Sequence, residues 1–185
     1  MTSRTRTLLI AAVVVIIGLA AWLYIRSGRE NVAIDLLKEF PTAKDRRPNP
    51  QAFSLIDATI NGDTRKAIFT KDLPGTRIIW HETIPENAWL KTGFGILEDG
   101  WKVAGDGVYF TIGVSTGSNY DELLAVTFNP YANAGDRRWN DIQLDLSQYA
   151  GEAVDIIFNT RSSTGGKDDR NGDLAVWAEP KIVVR

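Results

Sequence analysis

Residues 145–158, DLSQYAGEAVDIIF, combine a tight turn with the start of a β-strand. Asp145 and Ser147 carry side-chain oxygens that can accept hydrogen bonds from nearby backbone amides, while Leu146 points inward. Gly151 can adopt a turn conformation that residues with a side chain resist. Since AVDIIF then follows as an apolar run typical of a strand, this stretch indicates a β-sheet protein.

The same organisation extends across residues 51–185, where apolar residues recur with a period of two. Asn61-Gly62 lies between two such segments and is a strong signal for a β-hairpin. In GDGVYFTIGVST, four apolar residues from Val108 to Val114 alternate with small or polar neighbours. About nine such segments, separated by Gly, Asn and Pro, predict an all-β fold, an antiparallel β-sandwich of the jelly-roll type.

Three segments carry a resemblance to a known family: GVYFTIGV (107–114), LLAVTFNPYANAGDRRWNDIQLDLSQYAGEAVDIIFNT (123–160) and DLAVWAEPKIVV (173–184). Together they resemble the galactose-binding-like jelly rolls of carbohydrate-binding modules, which are appended to bacterial membrane and envelope proteins. The likeness covers roughly residues 65–185. It implies a fold rather than a ligand, because the shared elements build the sandwich. Trp139 and Trp177 are accordingly expected to fill the core.

The N-terminus predicts a membrane anchor. Residues 8–25, LLIAAVVVIIGLAAWLYI, contain no charge, and a helix of this length spans about 27 Å, close to the hydrocarbon thickness of a bilayer. A cleaved signal peptide is the alternative, with Gly18-Leu19-Ala20 as its cleavage site. We therefore divide the chain into residues 1–28 (cytoplasmic stub and anchor), 29–50 (short amphipathic helix and linker) and 51–185 (sandwich). We place the sandwich outside the cytoplasmic membrane.

Residues 29–50 contain an apolar stripe at helical spacing. The stripe predicts a short helix packed on the domain or lying at the membrane interface, and Pro41 ends it. The following TAKDRRPNP predicts an extended loop. The stripe consists of Val32, Ala33, Leu36, Leu37 and Phe40.

Composition excludes several functions. A net charge of −2 argues against nucleic-acid binding, which needs a concentrated basic face, and the chain has no cysteine for disulfides or thiolate metal sites. No catalytic motif accompanies His81, the single histidine, which we interpret as an ordinary strand residue. We therefore predict a protein that is not an enzyme and has no cofactor.

Residues 165–173, GGKDDRNGD, are the candidate metal site. Oxygen ligands around a flexible glycine suit calcium, although the spacing departs from the helix-loop-helix calcium loop. A solvated loop is the alternative. A structural calcium would be held by Asp168, Asp169, Asn171 and Asp173.

Two functions fit the sequence. The first, which we predict in preference to the second, is an accessory subunit of a larger bacterial membrane complex, respiratory or photosynthetic, or of envelope machinery. The second is a membrane-tethered glycan-binding module. A subunit would contact its partner through small residues of the anchor, because helices pack closely at such residues in lipid, and through two arginines of the domain. A glycan would stack on tryptophans near turns, Trp89 and Trp101. The subunit residues are Gly18, Ala20, Ala21, Arg137 and Arg138.

Overall fold

The computed structural model describes residues 30–71, 75–162 and 169–185, which contain two antiparallel sheets. Strands outnumber helices because the period-two pattern runs through most of these residues. One short helix, α1, spans Leu36–Glu39. The strands are β1 Asn31–Ile34, β2 Asp45–Arg47, β3 Phe53–Ile60, β4 Asp63–Thr70, β5 Gly75–Thr83, β6 Ala88–Ile96, β7 Val108–Ser115, β8 Tyr120–Phe128, β9 Asn140–Asp145, β10 Ala153–Ser162 and β11 Ala175–Val184.

The two sheets form a sandwich. The six-stranded sheet has the order β3-β4-β11-β6-β9, with β1 also paired to β11, and the five-stranded sheet has the order β2-β5-β10-β7-β8. The predicted all-β sandwich is thus confirmed. The β3–β4 hairpin turns at Asn61 and Gly62, whose φ angles of 55° and 79° are those the Asn-Gly signal predicts.

The main core lies between the sheets and is rich in aromatic rings. Trp177 of β11 is 1% exposed, and its ring centroid lies 4.7 Å from that of Phe158 and 5.1 Å from that of Phe110. Trp80 packs edge-on against Phe158. Such pairs add to the free energy of burial, so these rings fix how the sheets face each other.

A second cluster lies on the outer face of the six-stranded sheet. Trp139, which precedes β9, is 8% exposed and packs over small residues of β3, β4 and β11. Its indole Nε1 donates to the backbone oxygen of Asp63 at 3.0 Å, and the Arg65 guanidinium lies 5.1 Å from its ring centroid. The expectation that Trp139 and Trp177 fill the core is confirmed, although the two rings occupy different clusters.

The segment before residue 51 differs from the predicted helix and loop. Residues 31–34 form β1, α1 has only four residues, and β2 lies within the predicted loop. The Asp35 side chain accepts from the Lys38 backbone amide at 3.1 Å and so begins α1, while Pro41 follows in a 3₁₀ turn. Pairing of β1 with β11 and of β2 with β5 outweighs the helical spacing, because a short isolated helix is marginal.

The predicted anchor, residues 8–25, lies outside the described residues. Within residues 30–71, 75–162 and 169–185, no helix has the length and apolar character needed to cross a bilayer. Residues 32–185 form one compact unit.

Candidate functional site

A groove of about 560 Å³ crosses the outer face of the five-stranded sheet. Alternation along β10 creates this face: Ile156 and Phe158 point into the core, while Asn159 and Arg161 point outward. The volume lies within the range of sites that hold small molecules. Its lining residues are Arg47, Gly75, Thr76, Arg77, Thr111, Tyr120, Glu122, Ile157, Asn159 and Arg161.

A row of polar side chains runs across the middle of the groove. Strand pairing aligns Arg47 with Arg77, Arg77 with Asn159, and Asn159 with Thr111, on four adjacent strands. The Arg77 Nε donates to Asn159 Oδ1 at 2.7 Å, and Asn159 Nδ2 donates to Thr111 Oγ1 at 2.9 Å. These bonds fix the orientation of the Asn159 amide and hold the Arg77 guanidinium against the sheet.

An aromatic ring stands beside this row. Tyr120, the first residue of β8, is 50% exposed, and its ring lies against Gly113 of β7. A Cβ at Gly113 would come within 2.4 Å of the ring, so only glycine allows this position. The hydroxyl end of the ring therefore lies against the sheet. Burial, followed by the nearby Glu122 carboxylate, raises the pKa of Tyr120, which favours the neutral phenol.

Beyond the polar row, the end of the groove carries Arg161. The Arg161 guanidinium lies 4.9 Å from the Tyr109 ring centroid, and its strand partner is Gly75, which has no side chain to cover it. Stacking on an aromatic face restricts a guanidinium while its edge stays able to donate hydrogen bonds. Arg47, on the edge strand β2, lies beside Arg77 at one end of the polar row.

A separate polar cluster lies on β5 and β10 near the end of the sheet. Asp155 accepts from Lys44 Nζ at 2.7 and 2.8 Å, and its Oδ1 lies 2.7 Å from His81 Nδ1. Although burial opposes ionisation, the hydrogen bonds from Lys44 and His81 hold the pKa of Asp155 below its usual value. His81 is exposed, in keeping with an ordinary strand residue held in an ion-pair cluster.

Beside this cluster, Glu82 is a carboxyl group with a raised pKa. Burial, followed by a hydrogen bond with Glu39, raises the pKa of Glu82 to about 7. A small cavity of about 130 Å³ adjoins both carboxyl groups. Paired carboxyl groups are a general feature of acid–base sites, but this cavity is much smaller than the groove on the same sheet.

The tryptophans predicted to stack on a glycan lie away from this groove. Trp89, on the outer face of β6, is half-buried, and the Arg185 guanidinium lies 4.7 Å from its ring centroid. Trp101 is half-buried, contacts both hydrophobic clusters and donates its Nε1–H to the Ile96 backbone oxygen at 2.8 Å. Both rings therefore make extensive contacts within the domain.

The predicted interface arginines have different surroundings. Arg137 is half-buried and its Nε donates to the Pro130 backbone oxygen at 2.8 Å, whereas Arg138 is exposed. Their role in an interface stays a prediction. The predicted helix contacts, Gly18, Ala20 and Ala21, lie outside the described residues.

The predicted calcium loop is described only in part, because Asp168 lies outside the described residues. Asp169 Oδ1 accepts from the Asn171 backbone amide at 3.0 Å, as in an Asx turn, and Asp173 is 6% exposed. No group of three or more acidic or histidine side chains suited to a metal occurs within the described ranges. Calcium binding stays a prediction.

Sequence reasoning missed the groove, although one signal was present. Gly113 interrupts the alternating strand GVYFTIGV, and a glycine inside a strand often marks a close approach by another group. That group is Tyr120, which follows the STGSN turn directly. Pattern alone could suggest the close approach but not the aromatic ring that makes it.

Comparisons with known proteins bear on the fold. No family model matches the chain. An uncharacterized protein of Archaeoglobus fulgidus is 38% identical over 108 residues, which are 57% of this chain and 26% of that protein. The chain thus spans about a quarter of that relative's length.

Several solved structures are similar to this one. The CBM51-2 and INT domains of Clostridium perfringens ZmpB, in complex with GlcNAc, match with a TM-score of 0.52 and 13% identity, over 82% of this chain and 31% of that one. This chain has the jelly-roll fold of carbohydrate-binding modules. TmCBM61 in complex with β-1,4-galactotriose matches at a TM-score of 0.49 and 12% identity, over 82% and 99% of the chains. CBM51 from Clostridium perfringens GH95, in complex with methyl-galactose, matches with a TM-score of 0.46 and 15% identity. The match covers 77% of this chain and 94% of that one.

Proposed function

We propose that this protein is a non-catalytic carbohydrate-binding module that holds a saccharide in the groove on its five-stranded sheet. The observation that carries the proposal is the Tyr120 ring fixed on Gly113, beside the row formed by Arg77, Asn159 and Thr111. Resemblance of the fold to carbohydrate-binding modules supports the same function.

The groove has the two kinds of surface that a sugar ring needs. A pyranose has a C–H face, which packs on an aromatic ring, and hydroxyl groups at its edge, which need hydrogen-bond partners. Tyr120 offers the ring, since its hydroxyl end is held against Gly113 and about half of its surface is exposed. Arginine and asparagine donate to hydroxyl oxygens, while the Glu122 carboxylate accepts from hydroxyl groups.

The polar row is also organised before any ligand arrives. Asn159 receives a bond from Arg77 and donates one to Thr111, so its amide is oriented by two neighbouring strands. Fixed polar groups lose little conformational entropy on binding, which favours affinity in an open groove.

A glycan array with the purified full-length chain tests the proposal. We expect a subset of glycans to bind, and Tyr120→Ala to weaken binding by about tenfold or more, as for aromatic residues at the centre of an interface. Tyr131→Ala is the matched control, because Tyr131 is also 50% exposed but does not line the groove. An array without any bound glycan, or equal losses in the two variants, would refute the proposal.

Tethering by residues 8–25, with the module outside the cytoplasmic membrane, is part of this proposal and rests on the sequence alone. The role of accessory subunit has no support in the described residues beyond exposed Arg138. Co-purification in mild detergent distinguishes the two functions. A stoichiometric protein partner together with a blank array would favour the subunit.

A further inference from the structure

The groove carries more positive than negative charge. Arg47, Arg77 and Arg161 line it, and Glu122 is the one carboxylate among its lining residues in the described part of the chain. Arg47 forms an ion pair with Asp45. In residues 30–71, 75–162 and 169–185, none of the recorded ion pairs includes Arg77 or Arg161.

Strand register brings these arginines together. Arg47 stands directly opposite Arg77, on β2 and β5. Arg161 pairs with Gly75, two residues before Arg77, so it is a diagonal neighbour of Arg77 on the same face. Like charges on cross-strand neighbours destabilise a sheet. An anion bound among the three guanidinium groups would offset that repulsion.

Two of the guanidinium groups, those of Arg77 and Arg161, are placed so that they can donate hydrogen bonds to an anion. Arg77 uses its Nε to bind Asn159, and the terminal amino groups of the fork are not used in that bond. Arg161 stacks on Tyr109, which holds its plane while leaving its edge able to donate. Paired N–H donors match the two oxygens of a carboxylate or sulfate group and form strong, charge-assisted hydrogen bonds.

We propose that the groove selects an acidic saccharide, one that carries a carboxylate or a sulfate group. This inference rests on the proposed function and names its class of ligand. The acidic group binds between Arg77 of the polar row and Arg161, its diagonal neighbour at the end of the groove. The neutral part of the sugar extends toward Tyr120 and Glu122, since the Glu122 carboxylate repels an anion and accepts hydrogen bonds from hydroxyl groups.

The test uses the full-length chain and matched saccharides: galactose, glucose, mannose and N-acetylglucosamine oligomers, each in neutral form and, where it exists, in uronic-acid and sulfated form. Affinities are measured by titration calorimetry at low and at high salt. We expect the acidic member of at least one set to bind about tenfold or more tightly than its neutral counterpart, because hydrogen bonds between charged groups are strong. Added salt should reduce this preference.

Two variants locate the effect. Arg161→Gln should lower the affinity for the acidic saccharide by more than the affinity for its neutral counterpart, and so reduce the preference. Arg77→Gln should also reduce the preference, but it should weaken neutral binding as well, because Arg77 orients the Asn159 amide. The matched control is Arg138→Gln, which also removes one exposed positive charge but lies on the side of the six-stranded sheet, where the Arg138 backbone oxygen approaches Gly95. Its affinity for the acidic saccharide should equal that of the wild type. The uronic-acid and sulfated arms show which anion is preferred.

Three results would overturn the inference. If neutral saccharides bind as tightly as acidic ones and Tyr120→Ala abolishes that binding, the proposed function stands and the selection of an acidic ligand is wrong. If no saccharide binds, both proposals fail together. If an acidic saccharide binds but Arg77→Gln and Arg161→Gln leave its affinity unchanged, the anion is held elsewhere and the assignment to this groove is wrong.

Discussion

Substituting Gly113 tests the aromatic platform without touching any side chain that would contact a ligand. In Gly113→Ala the new Cβ would lie 2.4 Å from Cε2, Cζ and the hydroxyl oxygen of Tyr120. Ordinary carbon contacts are about 3.5–4.0 Å, so the ring must move by about 1 Å or more. Because Tyr120 is half exposed, the ring can swing toward solvent and leave the groove.

The expected effect on binding is large and that on stability is small. Displacing a central aromatic residue should cost about 1.4 kcal/mol or more of binding free energy, which is a loss of affinity of about tenfold or more. The free energy of unfolding should change by less than about 1 kcal/mol, because alanine is favoured over glycine in a strand while some Tyr120 packing is lost. Calorimetric titration with the saccharide that binds best on the array measures the change in affinity, and thermal unfolding measures the change in stability.

Gly75→Ala is the matched control on the same face of the same sheet. A Cβ at Gly75 meets its nearest neighbour, Arg161 Cγ, at 3.9 Å, which is an ordinary contact. This variant should keep wild-type affinity for a neutral saccharide within about twofold, since surface changes without a clash usually alter free energies by less than about 0.5 kcal/mol. Full affinity in Gly113→Ala, with the fold retained, would show that the position of the Tyr120 ring does not matter for binding.

Three further predictions concern stability. The pKa of Glu82 is raised from 4.5 to about 7, so its contribution to stability is present below about pH 4.5 and is lost as the pH rises through about 7. Glu82→Gln removes a charge that is disfavoured by burial and by Glu39, so it should raise the melting temperature above pH 7 and not at low pH. A melting temperature that varies with pH in the same way in the variant and the wild type would contradict this assignment. Leu36→Ala should cost about 2–5 kcal/mol in denaturant unfolding, because Leu36 is 0% exposed, whereas Val32→Ala, at a 43% exposed site, should cost little. Deleting residues 180–185 removes half of the β6–β11 pairing and should cost several kcal/mol, so an unchanged melting temperature would be incompatible with the register.

The local features of the fold could be predicted because each depends on few neighbouring residues. Asp145 Oδ1 accepts from the Ser147 backbone amide at 2.8 Å, Leu146 is 0% exposed and Gly151 has a φ angle of 80°, as the DLSQYAG stretch predicts. Pro180 lies inside β11. It follows Glu179, whose φ angle is 46°, at a shift in register where no ladder donor is needed.

The groove could not be predicted in this way because strand register creates it. Arg47, Arg77 and Arg161 belong to three strands that are distant in sequence, and only their pairing places them on one face. Residue type was also misleading about which aromatic side chain is available. Tryptophan has the largest aromatic ring for stacking, but the Trp89 ring is covered by Arg185, which is distant from it in sequence. Tyr120 is presented because a glycine lies beneath it.

The location of the groove follows from how the sandwich uses its two outer faces. On the six-stranded sheet, Ala67 and Val176 are almost fully buried although they point away from the main core, because Trp139 covers them. Arg65 lies over the Trp139 ring and is bound to Asp141, and this ion pair raises the pKa of Arg65. Much of this face is therefore closed by a second hydrophobic cluster. The five-stranded sheet instead presents arginines and Tyr120 in an open groove. Exposed groups that converge in a groove are typical of a surface that contacts a ligand.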